Sequence, residues 1–174
     1  LLTLEGVIQN SSNVGAAIIA KKTKKQEIYK TLNEFNFGGD LYVDFPSIQN
    51  GNINDISSWD DALHGTVGYG YGLSTTLLHL ANAYNIIAND GIRVQLTYKK
   101  HFGEVDGEQV LQKEVSQEIL KMMQKAVDDG TGKNAKIKNY SVAGKTGTVR
   151  LRINGKYSER NHNALFVGMA PASD

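Results

Sequence analysis

An α+β fold, a mainly antiparallel sheet packed with helices, follows from three features of this 174-residue chain. Leu73, Leu77, Leu80, Ala81, Tyr84, Ile87 and Ala88 recur at helical spacing, which predicts one buried stripe. Val115, Ile119, Met122, Met123, Ala126 and Val127 repeat that spacing further along. The last segment changes period: Val142 to Ile153 runs extended, Asn154-Gly155 offers a turn, and Ala164 to Ala170 returns as the second arm of a hairpin.

The remaining elements follow in chain order. Leu1 to about Gln9 has the spacing of a helix that stops at Asn10-Ser11-Ser12-Asn13, because short polar side chains compete for backbone hydrogen bonds. Val14 to Ala20 resumes as a small apolar helix. Ile28, Leu32 and Phe35 predict a third, with Gly38-Gly39 as its stop. Pro46, Gly51 and many Asn, Asp and Ser make 40–60 a long irregular excursion. The stripe through Leu77 and Ile87 is closed by Gly91. Arg93 to Phe102 and Gln109 to Leu111 alternate and are expected to join through Asp106-Gly107, a hairpin-type dipeptide. Gly130-Thr131-Gly132 ends the second long helix. In the final hairpin Leu165-Phe166-Val167 is continuously apolar, which predicts a strand covered on both faces.

Composition narrows the function classes. A hydrophobic fraction of 40% with 21% charged residues is that of an ordinary folded domain, one domain by length or a large piece of one. A net charge of +1 gives no reason to invoke nucleic acid, and Lys21, Lys22, Lys24 and Lys25 read as a solvated helix end. The absence of cysteine fits a reduced or an oxidising compartment equally. Gly144-Lys145-Thr146 and Gly132-Lys133 echo a phosphate-binding loop, but the glycine required five places earlier is Asn139 in one case and Val127 in the other. No motif suggests a metal or a cofactor.

Two short stretches carry chemistry. Lys145-Thr146-Gly147-Thr148 offers a cation, two hydroxyls and an open backbone in one extended segment, suited to an anionic ligand with an amide lying along a sheet edge. Ser11 and Asn13, two residues apart, can shuttle a proton and hold an amide, since a carboxamide both donates and accepts. Ser11 is equally readable as a helix-capping serine, and Gly147 as a bulge. Strict alternation puts Lys145 on one face with Val149, Leu151 and Ile153, a costly place for a charge unless it lines a cleft. Arg150 and His162 fall at the cleft mouth by hairpin geometry, or are plain surface residues. Tyr69 and Tyr71 read as packing residues.

Taken in order, Ser11-Ser12-Asn13-Val14-Gly15, Tyr69-Gly70-Tyr71-Gly72-Leu73-Ser74, Gly130-Thr131-Gly132-Lys133, Ala143-Gly144-Lys145-Thr146-Gly147-Thr148 and Phe166-Val167-Gly168-Met169-Ala170-Pro171 resemble the class B penicillin-binding proteins. Within that class the S-S-N form is most similar to the division-specific, septal peptidoglycan D,D-transpeptidases. One departure is Thr76-Leu77, where the family often has Thr-Pro. A larger one is that no serine here is followed three residues on by a lysine, so the S-x-x-K nucleophile is missing. The chain, which does not begin with Met, is expected to be the C-terminal portion, 1–174, of a single transpeptidase domain in a longer protein, and inactive alone.

What the resemblance implies is acyl transfer through an acyl-serine. Ser11 would relay a proton to the leaving amine, Asn13 would hold the substrate amide, and Lys145 would support proton transfer and the substrate carboxylate. Thr146 and Thr148 would present hydroxyls to that carboxylate, Thr148 N–H would serve the oxyanion hole, and Gly147 would let the ligand strand approach. Implied partners are peptidoglycan stem peptides, β-lactam antibiotics and, through the parent, divisome membrane proteins. The implied location is the periplasmic side of the bacterial inner membrane, on a single anchor upstream. Two other readings share the fold: a penicillin-binding sensor or scaffold without turnover, and a D,D-carboxypeptidase or β-lactamase. All require Ser11-Ser12-Asn13 and Lys145 to converge in space.

Overall fold

The computed structural model describes residues 2–41, 43, 48–153 and 156–172, with backbone alone at 151–153, 156, 157 and 159. Pro46 and the expected Asn154-Gly155 turn lie outside the described residues. The α+β expectation holds: the described residues form α-helices and three two-stranded antiparallel sheets. The chain divides into two units, Ser12–Ile119 and Leu1–Ser11 with Leu120–Asp174.

In the first unit α2 (Asn13–Lys22) is capped by Ser12, whose hydroxyl oxygen accepts from the N–H of Gly15 at 3.1 Å. Helix α3 (Lys25–Glu34) ends earlier than Gly38-Gly39. Asn36 takes a φ of 63°, its N–H bonds the carbonyl of Asn33 at 2.8 Å, and Phe37 N–H reaches Leu32 at 2.9 Å. Asparagine tolerates the left-handed region, so it closes the helix as glycine would. The excursion after it contains β1 (Asn52–Ile53), which pairs with β2 (Leu73–Ser74), and is followed by a short helix α4 (Asp61–Thr66) that periodicity missed. Asp60 starts α4 by accepting from Leu63 N–H at 2.7 Å. Helix α2 lies against α4 and the turn after it, where a Cβ on Gly68 would stand 2.7 Å from Ala20 Cβ.

Helix α5 (Leu77–Ala88) turns a different face inward from the one its apolar stripe predicts. His79, Asn82, Ala83 and Ile86 are buried, while Leu77 is 71% exposed. The reason is the His79 ring, whose Nε2 lies 2.8 Å from Gly39 O and whose Nδ1 lies 2.8 Å from Thr76 Oγ1. Fully paired, a buried imidazole costs little and fixes the helix rotation. β3 (Ile92–Val94) and β4 (Gly107–Gln109) pair antiparallel with Val94 opposite Gly107. Gly107 is therefore in the ladder, not at a turn, and 95–106 make the connection. A Cβ at Gly107 would strike Ile92, which accounts for the glycine. Helix α6 (Lys113–Asp128) is tied to α5 by Ser116, fully buried, whose hydroxyl donates to Ile87 O at 2.6 Å, whereas Val115 is 41% exposed.

The second unit joins α1 (Leu4–Gln9), the C-terminal turns of α6 and a long hairpin of β5 (Ala143–Ile153) with β6 (Lys156–Met169). Val7, Met123, Ala126, Val127, Val142 and Ala143 are its buried apolar residues. Pairing runs from Ala143 opposite Met169 to Ile153 opposite Lys156, with a register shift between Arg150 and Arg152. That shift breaks the alternation expected to align Lys145 with Leu151 and Ile153, and Val149 is exposed. Leu165 and Phe166 are also exposed, so the described residues do not cover β6 on both faces. The Phe166 ring instead lies over its own hairpin: a Cβ at Gly144 would come 2.6 Å from Phe166 Cζ, and one at Gly168 2.8 Å from Cε1. Among the described residues no helix is long and apolar enough to cross a membrane.

Candidate active site

Ser11 follows α1 with a φ of 51°, a conformation that residues other than glycine, asparagine and aspartate seldom adopt. Its N–H bonds Ile8 O at 3.2 Å, which holds the strained residue in place. With Ser12 acting as the cap of α2, the capping alternative for Ser11 falls away, and its hydroxyl is exposed.

Lys145 is the third residue of β5 and half-buried. Its ammonium donates to Ser11 Oγ and, at 2.9 Å, to the carbonyl of Thr146. Burial holds its pKa below the usual lysine value. The pairing joins residues 134 positions apart, and it brings together the serine and the lysine that the sequence singles out.

Thr131, in the glycine-flanked turn after α6, completes the cluster and was assigned no role from the sequence. Its hydroxyl lies 3.4 Å from Ser11 Oγ and accepts from Thr146 Oγ1 at 3.1 Å. The turn is pinned through Thr131 N–H to Gln9 O at 3.2 Å and Gly132 N–H to Ala126 O at 2.9 Å. The signal in the sequence was the Gly-Thr-Gly string, read there as a helix stop and as one of the strings of the family resemblance.

The other named residues occupy β5 and β6. A Cβ at Gly147 would meet only Leu165 Cβ, at 3.8 Å, so nothing among the described residues requires glycine there. Thr148 is exposed, and β5 has a strand partner on one side only among the described residues. Arg150 and His162 are direct cross-strand partners, both exposed. Asn13 opens α2 in the other unit, also exposed, beside a shallow apolar hollow formed by Val14, Ala17, Ile18 and Tyr69. Tyr69 meets Tyr71 edge to face at 5.5 Å, so it packs and lines that hollow together. No cluster of metal-ligating side chains occurs among the described residues.

Comparison with known proteins places this arrangement. The family model for the penicillin binding protein transpeptidase domain matches residues 1–174. The chain is 30% identical to the probable peptidoglycan D,D-transpeptidase PenA of Neisseria gonorrhoeae, over 99% of this chain and 30% of that protein. It is 34% identical to the peptidoglycan D,D-transpeptidase FtsI of Escherichia coli, over 99% of this chain and 29% of that one. The transpeptidase domain of Burkholderia pseudomallei penicillin-binding protein 3 superposes with a TM-score of 0.93 at 36% identity, covering 98% of this chain and 52% of that one. The Mycobacterium protein of the same name, solved with ampicillin, gives 0.90 at 28% identity, over 99% and 42%. The chain thus spans about 30% of the length of the curated relatives it matches. On the ordered motifs, the Ser11–Lys145 pairing and these matches, the chain belongs to the transpeptidase family of class B penicillin-binding proteins.

Proposed function

We propose that this chain is the C-terminal portion of the catalytic domain of a septal peptidoglycan D,D-transpeptidase, anchored in the inner membrane with the domain in the periplasm. The reaction is acyl transfer: a serine upstream attacks the carbonyl of a terminal D-Ala-D-Ala, D-Ala leaves, and an amine of a neighbouring stem peptide takes the acyl group. The observation that supports this most is the Lys145 ammonium seated on the Ser11 hydroxyl.

An ammonium has no lone pair, so in this contact Lys145 can only donate. It stabilises negative charge on Ser11 Oγ as Ser11 passes its proton to the leaving nitrogen, and then supplies the replacement proton. Lowered by burial, the lysine is the better acid for that step. Asn13 holds the substrate amide. Thr146 and Thr148 line the carboxylate position, with Thr148 donating its hydroxyl, Thr148 N–H polarises the carbonyl, and Arg150 and His162 flank the entrance. The space above Gly147 and the edge of β5, both unoccupied among the described residues, suit a ligand that adds as a further strand. β-Lactams, which two structures of the related Mycobacterium penicillin-binding protein 3 contain as aztreonam and ampicillin, are the expected inhibitors.

Labelled penicillin tests this. The full-length protein should take up one label, while the 174-residue chain, which has no S-x-x-K, should take up none. Stoichiometric labelling of the chain alone would contradict the assignment of the nucleophile. A fluorescent fusion of the full-length protein should gather at midcell in dividing cells, and uniform lateral-wall signal would remove the septal reading.

A further inference from the structure

The hydroxyl of Thr131 raises a question of proton direction that the lysine alone does not answer. A hydroxyl has one proton to give and two lone pairs to fill. Lys145 fills one lone pair of Ser11, and Thr146 fills one of Thr131. The third contact, Ser11 to Thr131 at 3.4 Å, can run either way. If Ser11 donated, its proton would be occupied and useless to a leaving group. If Thr131 donates, both lone pairs of Ser11 are filled from the protein, and the proton of this exposed hydroxyl is left for an incoming nitrogen. Among the described residues Ser11 Oγ is the one acceptor recorded for the Thr131 proton, whose own oxygen already receives Thr146.

The backbone is built to hold this direction. Thr131 N–H is fastened to Gln9 O at 3.2 Å, two residues before Ser11. Gly130 lets the turn come so close that a Cβ there would run into that same carbonyl and, at 2.9 Å, into Ala126 Cα. The Thr131 hydroxyl and the strained Ser11 are thereby referenced to one point at the end of α1. A 3.4 Å separation is long for two hydroxyls, as hydrogen bonds of catalytic groups often are before substrate binds.

We propose that Thr131 is a positioning residue for acyl transfer: its hydroxyl donates to Ser11 Oγ, keeps the Ser11 proton aimed at the reacting nitrogen, and links Ser11 to Thr146. This rests on the transpeptidase reading above. In the proton step itself the N–H bond to the leaving nitrogen forms as the Ser11 O–H bond breaks, and Ser11 regains a proton from Lys145; Thr131 keeps its own.

The experiment is acylation of the full-length protein by a fluorescent penicillin, with the binding constant and the acylation rate constant resolved separately. Thr131→Val, which keeps the shape and removes the hydroxyl, should lower the acylation rate constant roughly tenfold while binding stays within about twofold, a loss within the range of a mispositioned proton donor. Thr131→Ser should restore most of the rate. A wild-type acylation rate in Thr131→Val, a loss confined to binding, or a serine variant as slow as the valine variant would each overturn the proposal. If Thr131→Val does not label at saturation, Thr131→Ala against Thr131→Ser is judged by the same criteria. A wild-type protein that takes no label sinks the transpeptidase reading instead, so the two failures are told apart.

Discussion

Replacing His79 by leucine isolates the worth of a polar core that the apolar pattern of α5 hides. The imidazole is fully buried. Gly39 O can only accept, so Nε2 carries the proton and Nδ1 accepts from the Thr76 hydroxyl. Leucine keeps roughly the volume and orphans both partners. An unpaired buried group costs about 1–3 kcal/mol. Gly39 is only half-buried, and Thr76 Oγ1 still accepts from the residue 79 N–H at 3.3 Å, so the low end applies to each. The expected loss for His79→Leu is about 2–3 kcal/mol, and His79→Ala, which also opens a cavity, should lose about 3–5 kcal/mol. Urea unfolding followed through Trp59, the one tryptophan of the chain and 3% exposed in the same unit, measures both. Thr76→Val removes the cap on the residue 79 N–H in both backgrounds but orphans Nδ1 only in the parent. Its cost should therefore shrink by about 1 kcal/mol in the double variant. A His79→Leu protein within about 0.5 kcal/mol of wild type, or strict additivity of the pair, would show that the paired imidazole carries no such stabilisation.

Further predictions concern the site. Because burial holds the Lys145 pKa down, the lysine loses its proton at a lower pH than an exposed one, so the loss of acylation as pH is raised should set in earlier than the ordinary lysine range. Lys145→Arg should push that alkaline limb upward, and an unmoved limb would assign it to another group. The sign for stability is the reverse of a salt bridge. The half-buried charge costs stability below the folded pKa and ceases to do so as pH rises to the unfolded value, so Lys145→Met should not lower the unfolding midpoint near neutrality. Gly144→Ala forces Phe166 aside and should cost about 1–3 kcal/mol. Gly147→Ala meets open space, so it should leave stability unchanged and slow penicillin labelling. Equal effects of the two alanines on stability would show that Gly147 is a packing residue after all.

Much of the architecture was legible because it is local. Apolar spacing marks α2, α3, α5 and α6, and the change to extended spacing marks β5 within a residue of its bounds, whereas β6 begins at Lys156, well before the expected Ala164. Reading failed where a neighbour far along the chain outvoted composition. His79 and Asn82 face inward because Gly39 and Thr76 pair the histidine, and no apolar pattern can register that. Asp106-Gly107 looks like a turn, yet Gly107 is spent on clearance beneath Ile92. Leu165-Phe166 looks like a doubly covered strand, but the described residues leave both exposed.

The site divides the same way. Lys145-Thr146-Gly147-Thr148 stood out because a cation, hydroxyls and a glycine in one extended run are a local signal, and the ordered motifs were enough to suggest the family. Thr131 lay inside one of the ordered strings but drew no role, since one threonine between two glycines also looks like punctuation. What the sequence determined by itself was which segments are helical or extended and which residue types could do acyl-transfer chemistry, because those depend on neighbours a few positions away. That Ser11, Thr131, Lys145 and Thr146 share one hydrogen-bonded cluster came from folding alone, because contacts across 134 and 120 residues are set by packing and not by spacing.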